Sequence, residues 1–269
     1  MMNAAFSSQG IDAVYLAFRV PPERIGEAIA AMRVMGIGGA NVTAPLKEAV
    51  AGSLDELAPD VITTGSVNTI VVREGRLVGH NTDGVGLVRA IEEGARVLLS
   101  GRRVLLLGAG GAARGVLPAI ARAGASYLYI ANRTKERAEI LVSDYLSKTT
   151  ENIAPAVEAG PLGADLLAKG GIGNEGGGFD IVINATRLPF DSDEFLGIDL
   201  GRLKPGGLVF DMNYTGGSEI TSRLKDSLAQ KGIHFVDGLS MLLYQGASSF
   251  SLWTGTDPPI REMKSALGA

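Results

Sequence analysis

RVLLLGAGGAARG, residues 103–115, decides the fold. Its first half, Val104 to Leu107, is a run of apolar side chains without polar alternation, the pattern of a strand buried on both faces. Its second half places Gly108, Gly110 and Ala113 in the order G-x-G-x-x-G/A and opens a helix predicted from Ala112 to about Ala123. Strand, glycine turn and helix in this order aim a helix N-terminus and close-set backbone N–H groups at one point, which suits a pyrophosphate. Downstream, SYLYIAN, a helix from Thr134, FDIVINAT, GGLVFDM, a helix from Ser218 and IHFVDG continue the alternation. Apolar strands alternating with helices imply a parallel sheet covered on both faces, a doubly wound α/β domain.

The same stretch points to the cofactor. About 20 residues past the glycine turn, a site for NAD offers an acid to the ribose 2′-hydroxyl. This chain has Asn132, Arg133, Thr134 and Arg137 there. Two guanidiniums and a hydroxyl favour a 2′-phosphate, because a planar guanidinium pairs with phosphate oxygens where an acid repels them. The predicted cofactor is NADP, with its pyrophosphate at the glycine turn and its 2′-phosphate beside Asn132, Arg133, Thr134 and Arg137. A solvated basic helix start is the alternative reading of the two arginines.

Upstream the rhythm differs. VYLAFRV, Val14 to Val20, reads as a strand, and Ile25, Ala28, Ile29, Met32 and Met35 share one face of a helix after Pro21 and Pro22. IGGANVT reads as a second strand, and VNTIVV turns through Arg73-Glu74-Gly75 into RLVGHN as a hairpin. Asp83 stands in an N-cap position ahead of a helix with Val85, Leu87, Val88 and Ile91. The last stretch, Leu239 to Trp253 and then Pro258 onward, is helical. Gly160 to Gly178 holds eight of the 37 glycines and reads as a surface loop.

Composition narrows the function. The 269 residues carry 25 basic and 29 acidic side chains, so no basic footprint marks nucleic acid or an anionic membrane, and a small molecule is the default partner. There is no cysteine, hence no disulfide or thiolate chemistry, which suits a reducing cytosol. No apolar run approaches the ~20 residues of a membrane span, and the expected location is cytoplasmic. No His/Asp/Glu set has metal-ligand spacing, so no metal is expected; His80 and His234 have no partner pattern, and Trp253 and Phe250 read as core.

Three polar clusters precede the glycine turn: NVTAPLK (Asn41 to Lys47), SVNT (Ser66 to Thr69) and NTDGVG (Asn81 to Gly86). Singly, each has an ordinary reading as a turn, a strand-end residue or a cap. Jointly they offer more. Hydride transfer at an alcohol carbon needs a group to take the hydroxyl proton, and Lys47 oriented by Asp83 supplies one.

NVTAPLK, GSVNT, NTDGVG, GAGGAARG, NRT, NAT, DMNY and DGLSMLLYQGASSF occur in the order and approximate spacing of the shikimate dehydrogenases, which the chain resembles from about Asn3 onward. The resemblance implies NADP-dependent reduction of 3-dehydroshikimate to shikimate in the chorismate pathway to aromatic amino acids. It implies Lys47 as the acid/base residue with Asp83 as its partner, and Thr43, Asn68, Gln245 and Tyr214 around the substrate. Met212 and Gly238 would line the nicotinamide, and Gly108, Ala109, Gly110, Gly111 and Ala112 with residues 132–137 would hold the rest of the cofactor. A polyhydroxylated ring suits such a set, since donors and acceptors left unpaired are how analogues are rejected.

Two departures stand out. The family pattern opens with a strand and a serine stretch, S-x-S-P, whose serines bind the substrate carboxylate; neither has a counterpart here, because this chain starts within the helix that follows. Ser7 and Ser8 fall beyond the matching asparagine and do not replace them. The expectation for these 269 residues is retained NADP binding with weakened shikimate affinity, two charge-assisted hydrogen bonds being worth ~1.5–3 kcal/mol each. The second departure is NATRLPF, where the family has Ser and then Gly-Met after NAT. Either Arg187 adds a charge near the cofactor, or Pro189 and Phe190 reshape a loop.

The expected architecture is a two-domain α/β chain: a discontinuous substrate domain, residues 1–82 with 238–269, and an NADP domain, 83–237, as a monomer or homodimer. Two rival functions are a quinate/shikimate dehydrogenase using NAD and a catalytically impaired NADP-binding paralogue.

Overall fold

A computed structural model describes residues 1–149, 155–163, 166–167, 178–188, 190, 198–214 and 219–268. Two sheets organise them. The larger contains β5 (Arg103–Leu107), β6 (Tyr127–Asn132), β7 (Ala156–Pro161), β8 (Ile181–Asn184), β9 (Leu208–Asp211) and β10 (His234–Val236). All neighbours in it are parallel, in the order β10-β9-β8-β5-β6-β7. The succession of strands across the sheet reverses between β5 and β8, which creates the crevice at their C-terminal ends where doubly wound folds bind ligands. The uniform apolar runs follow from cover on both faces. Leu106 and Ile183 pack under α5 (Gly111–Arg122) and α6 (Lys135–Lys148), while Leu105, Val182 and Val209 pack with Leu228 of α7 (Glu219–Gln230). β7 was not expected: AVEAGP is short, ends in Gly-Pro and carries a charge, so only its register against β6 makes it a strand. It also takes Gly160 and Pro161 out of the expected loop, most of which lies outside the described residues.

The smaller sheet has the order β1-β3-β4-β2, with β1 (Gly39–Asn41), β2 (Glu56–Leu57), β3 (Thr69–Arg73) and β4 (Arg76–His80). The β3–β4 hairpin turns on Glu74 and Gly75, both at positive φ (50° and 77°), the conformation a two-residue hairpin loop needs. α2 (Ile25–Val34) buries Ile29 and Met32 against Val61 of α3 (Pro59–Thr64), Val67, Ile70 and Leu77. α1 (Met2–Ser8), α8 (Leu239–Thr254) and α9 (Ile260–Ala266) form a further cluster in which Phe6 and Phe250 meet at 5.5 Å. Trp253 Nε1 donates to the Ile70 carbonyl at 2.9 Å, so the last helices pack on the first sheet.

Two sequence expectations are corrected. Residues 14–20 form no strand; Val14, Leu16 and Phe18 are 70%, 60% and 68% exposed. Their alternation is that of a strand, but a strand exists only through a ladder partner, and the backbone of Tyr15 is held instead by the Asn3 side chain, which accepts its N–H at 2.6 Å and donates to its carbonyl at 3.0 Å. Asp83 is not a cap. It is the first residue of α4 (Asp83–Arg89) after Thr82, and its carboxylate turns away to a distant lysine.

Candidate functional site

A cavity of about 830 Å³ opens between the two sheets. On one wall Lys47 Nζ donates to Asp83 Oδ2 at 2.7 Å, and Asp83 is 2% exposed. Its other oxygen accepts from Asn68 Nδ2 at 2.8 Å, and its backbone N–H donates to Asn81 Oδ1 at 3.0 Å. Asn68 Nδ2 also lies 3.1 Å from Gln245 Oε1, and Asn68 Oδ1 accepts from the Thr82 N–H at 2.8 Å. The carboxylate therefore meets a buried site with both oxygens paired, the condition on which a buried charge is tolerated. Three glycines permit the approach. A Cβ on Gly115 of α5 would lie 3.0 Å from Asn81 Nδ2 and 3.2 Å from Asp83 Oδ2, and Cβ atoms on Gly84 and Gly86 would run into Ala119 and the Gln245 backbone.

The facing wall is the glycine turn. Gly108 has φ of 105°, and a Cβ there would press on Ala185 and Thr186. Gly110 caps α5 in an extended conformation with open space where a Cβ would be, and among the described residues no side chain caps the helix. First-turn N–H groups facing an open cradle fit the diphosphate of a dinucleotide. The residues that follow β8 and β9, Ala185, Thr186, Met212 and Asn213, also line the cavity, and the two strand ends are tied together behind them. Asn184 Nδ2 donates to Asp211 Oδ1 at 3.1 Å, and the backbone and side-chain N–H groups of Asn213 reach the same oxygen at 3.0 and 2.8 Å. Burial pushes the Asp211 carboxyl up from its ordinary value, and these donors pull it part of the way back.

Of the residues singled out in the sequence, Thr43, Lys47, Asn68, Asp83, Gly108 to Ala112, Asn132, Met212, Tyr214, Gly238 and Gln245 line this one cavity. Arg133, Thr134 and Arg137 do not; they are exposed at the start of α6, just beyond Asn132. Sequence reasoning gave no role to Tyr15 or Ser249 and named Asn41 only as the start of a polar cluster. Tyr15 Oη donates to Asn41 Oδ1 at 3.0 Å, and burial, with Tyr214 second, raises its pKa. Asn41 Nδ2 lies 3.0 Å from Ser249 Oγ, and Ser249 in turn meets Thr69 and Thr82. The four-residue spacing of Gln245 and Ser249 on α8 is the one signal that could have found this network.

Comparison with known proteins matches three family descriptions along the chain: "Shikimate dehydrogenase substrate binding domain" over residues 1–70, "Shikimate / quinate 5-dehydrogenase" over 92–158 and "Shikimate 5'-dehydrogenase C-terminal domain" over 238–267. The shikimate dehydrogenase (NADP(+)) of Citrifermentans bemidjiense is 39% identical over 271 residues, spanning all of this chain and 89% of that protein. Among solved structures, the Thermus thermophilus shikimate 5-dehydrogenase in complex with NADP(H) and shikimate is 30% identical, with a TM-score of 0.80 over 99% of this chain and 92% of that one. The Listeria monocytogenes shikimate 5-dehydrogenase in complex with shikimate and NAD is also 30% identical, with a TM-score of 0.84 over 99% and 90%.

Proposed function

The chain belongs to the shikimate dehydrogenase family, and from that premise we propose that it reduces 3-dehydroshikimate to shikimate reversibly with NADPH. The observation that carries the reading is the Lys47–Asp83 pair at 2.7 Å, opening on the same cavity as the glycine turn. NADPH, when bound, supplies the hydride. Gly108 to Ala112 would hold its diphosphate and Arg133, Thr134 and Arg137 its 2′-phosphate, with Met212 and Gly238 beside the nicotinamide. Lys47 gives its proton to the carbonyl oxygen as that oxygen gains charge, and takes it back from the hydroxyl in the reverse direction. Asp83, held on both oxygens, keeps the ammonium pointed at the reacting carbon. Asn68 spends its donors and acceptor within the protein, so its part is to orient Asp83, while Thr43, Tyr214 and Gln245 remain to meet the ring hydroxyls. The proposal assigns residues 1–82 with 238–269 to the substrate side and 83–237 to the NADP side, with water excluded from the cleft between them.

Steady-state kinetics with shikimate and either NADP+ or NAD+ test this. Turnover favouring NADP+, and a ~10²–10⁴-fold loss of kcat in Lys47→Ala with NADP+ affinity little changed, are expected. Retained turnover in Lys47→Ala removes it from the acid/base role. A preference for NAD+ favours the NAD-using alternative, and cofactor binding without turnover favours the impaired paralogue.

A further inference from the structure

Arg187 is the residue of NATRLPF that the reaction does not use. The backbone on both sides of it is tied down. The N–H and Oγ1 of Thr186 donate to Asn184 Oδ1 at 3.0 and 2.8 Å, and the Leu188 N–H donates to Thr186 Oγ1 at 3.1 Å. Asn184 Nδ2 donates to the Leu188 carbonyl at 2.8 Å, and Asn213 Nδ2 to the Thr186 carbonyl at 3.1 Å. An exposed guanidinium is thereby carried on a pinned loop, and it lines the cavity between the sheets. That loop touches the glycine turn: a Cβ on Gly108 would come 3.0 Å from Thr186 Cγ2 and 3.3 Å from the Ala185 backbone.

The charge balance of the cavity gives this placement its meaning. Among the described residues, the charged side chains lining it are Lys47, Glu48, Asp83 and Arg187. Lys47 and Asp83 neutralise each other. Glu48 has the wrong sign for a phosphate and stands beside the turn, its Oε1 3.2 Å from where a Cβ on Gly111 would be. A diphosphate placed there brings two negative charges next to that carboxylate. Arg187 is the cationic side chain left to offset them, and it makes no ion pair among the described residues.

We propose that Arg187 binds the diphosphate of the dinucleotide, as a guanidinium clamp that supplements the N–H groups of α5 and offsets Glu48. This assignment rests on the dinucleotide reading of the cavity. Since NADP+ and NAD+ share the diphosphate, Arg187 raises affinity for both without choosing between them, unlike Arg133 and Arg137.

Isothermal titration of the full chain with NADP+ and with NAD+ tests it without relying on turnover. Arg187→Ala is expected to weaken both by the same factor, about ten- to a hundred-fold. Arg187→Lys is expected to recover part of the loss, since an ammonium keeps the charge but not the fork. Affinities within about twofold of wild type overturn the assignment. So does a loss confined to NADP+, which would move Arg187 to the 2′-phosphate, or unchanged cofactor affinity with a raised shikimate KM, which would move it to the substrate carboxylate. Wild-type protein that binds neither dinucleotide overturns the functional reading and this one together. Protein that binds NADP+ but leaves shikimate untouched overturns the reaction alone, and the Arg187 comparison is still decided.

Discussion

Asn68 Nδ2 stands 2.8 Å from Oδ1 of Asp83 while Lys47 holds the other oxygen, so the carboxylate is clamped from both sides, by the residue before β3 and by the turn that follows β1. In Asn68→Ala a buried, charged acceptor loses its donor, at a cost of about 1–3 kcal/mol. A lower melting temperature is expected together with a kcat reduced by roughly tenfold or more, because Asp83 no longer holds Lys47 in line. Melting and kcat both at wild-type level would show the amide to be idle.

Gly115 separates the helix of the cofactor wall from the proton-transfer pair. In Gly115→Ala, helix propensity gains up to about 1 kcal/mol, but the new methyl presses on Asn81 Nδ2 and Asp83 Oδ2 at 3.0 and 3.2 Å. Melting temperature should change little while kcat falls by roughly three- to tenfold with NADP+ affinity intact, since a few tenths of an ångström matter at a reacting pair. A lowered NADP+ affinity with normal kcat would sink this reading.

Cofactor choice should reside at the start of α6. Replacing Arg133 and Arg137 together with Ala is expected to cut the preference for NADP+ over NAD+ by ~10–100-fold, with NAD+ affinity nearly constant. The ratio of the two dissociation constants reads this out.

His80 gives stability a dependence on acid. Burial holds its imidazole below the ordinary histidine value, with Asp60 opposing and Arg73 assisting, and its Nε2 is buried without a hydrogen-bond partner among the described residues. A folded-state pKa below the unfolded value of about 6.5 means that the unfolded chain takes up the proton first. The contribution is present above about pH 6.5 and lost as pH falls below it. Wild type should therefore lose more melting temperature than His80→Gln between about pH 7.5 and about pH 5.5. Parallel melting curves would remove His80 from the account.

Much of the larger sheet was legible because its signals are local. Val104 to Leu107, Ile181 to Ile183 and Leu208 to Phe210 are buried on both faces, and a buried strand declares itself by apolar side chains at successive positions. The glycine turn was legible for the same reason, since each glycine answers a need of its own few residues. VYLAFRV shows the limit. Its alternation is genuine, yet Val14, Leu16 and Phe18 stay exposed because strand formation needs a ladder partner, which no window of one segment contains. AVEAGP shows the reverse, a weak pattern made a strand by its neighbour.

The residue types of the site were visible one cluster at a time; their convergence was not. A sequence window can say that Asp83 begins a helix, but not that its side chain leaves the helix end for Lys47, 36 residues away. Nor can it say that Asn68 meets Gln245 across 177 residues, or that, among the described residues lining the cavity, Arg187 is the cationic side chain left over once Lys47 and Asp83 pair. The buried strands of the larger sheet, the cofactor turn and the motif order were determined by the sequence alone, because periodicity and turn chemistry act over a few residues. Which charges pair and which one remains was decided by the tertiary structure, because Coulomb attraction and burial depend on distance in space, and packing sets that distance.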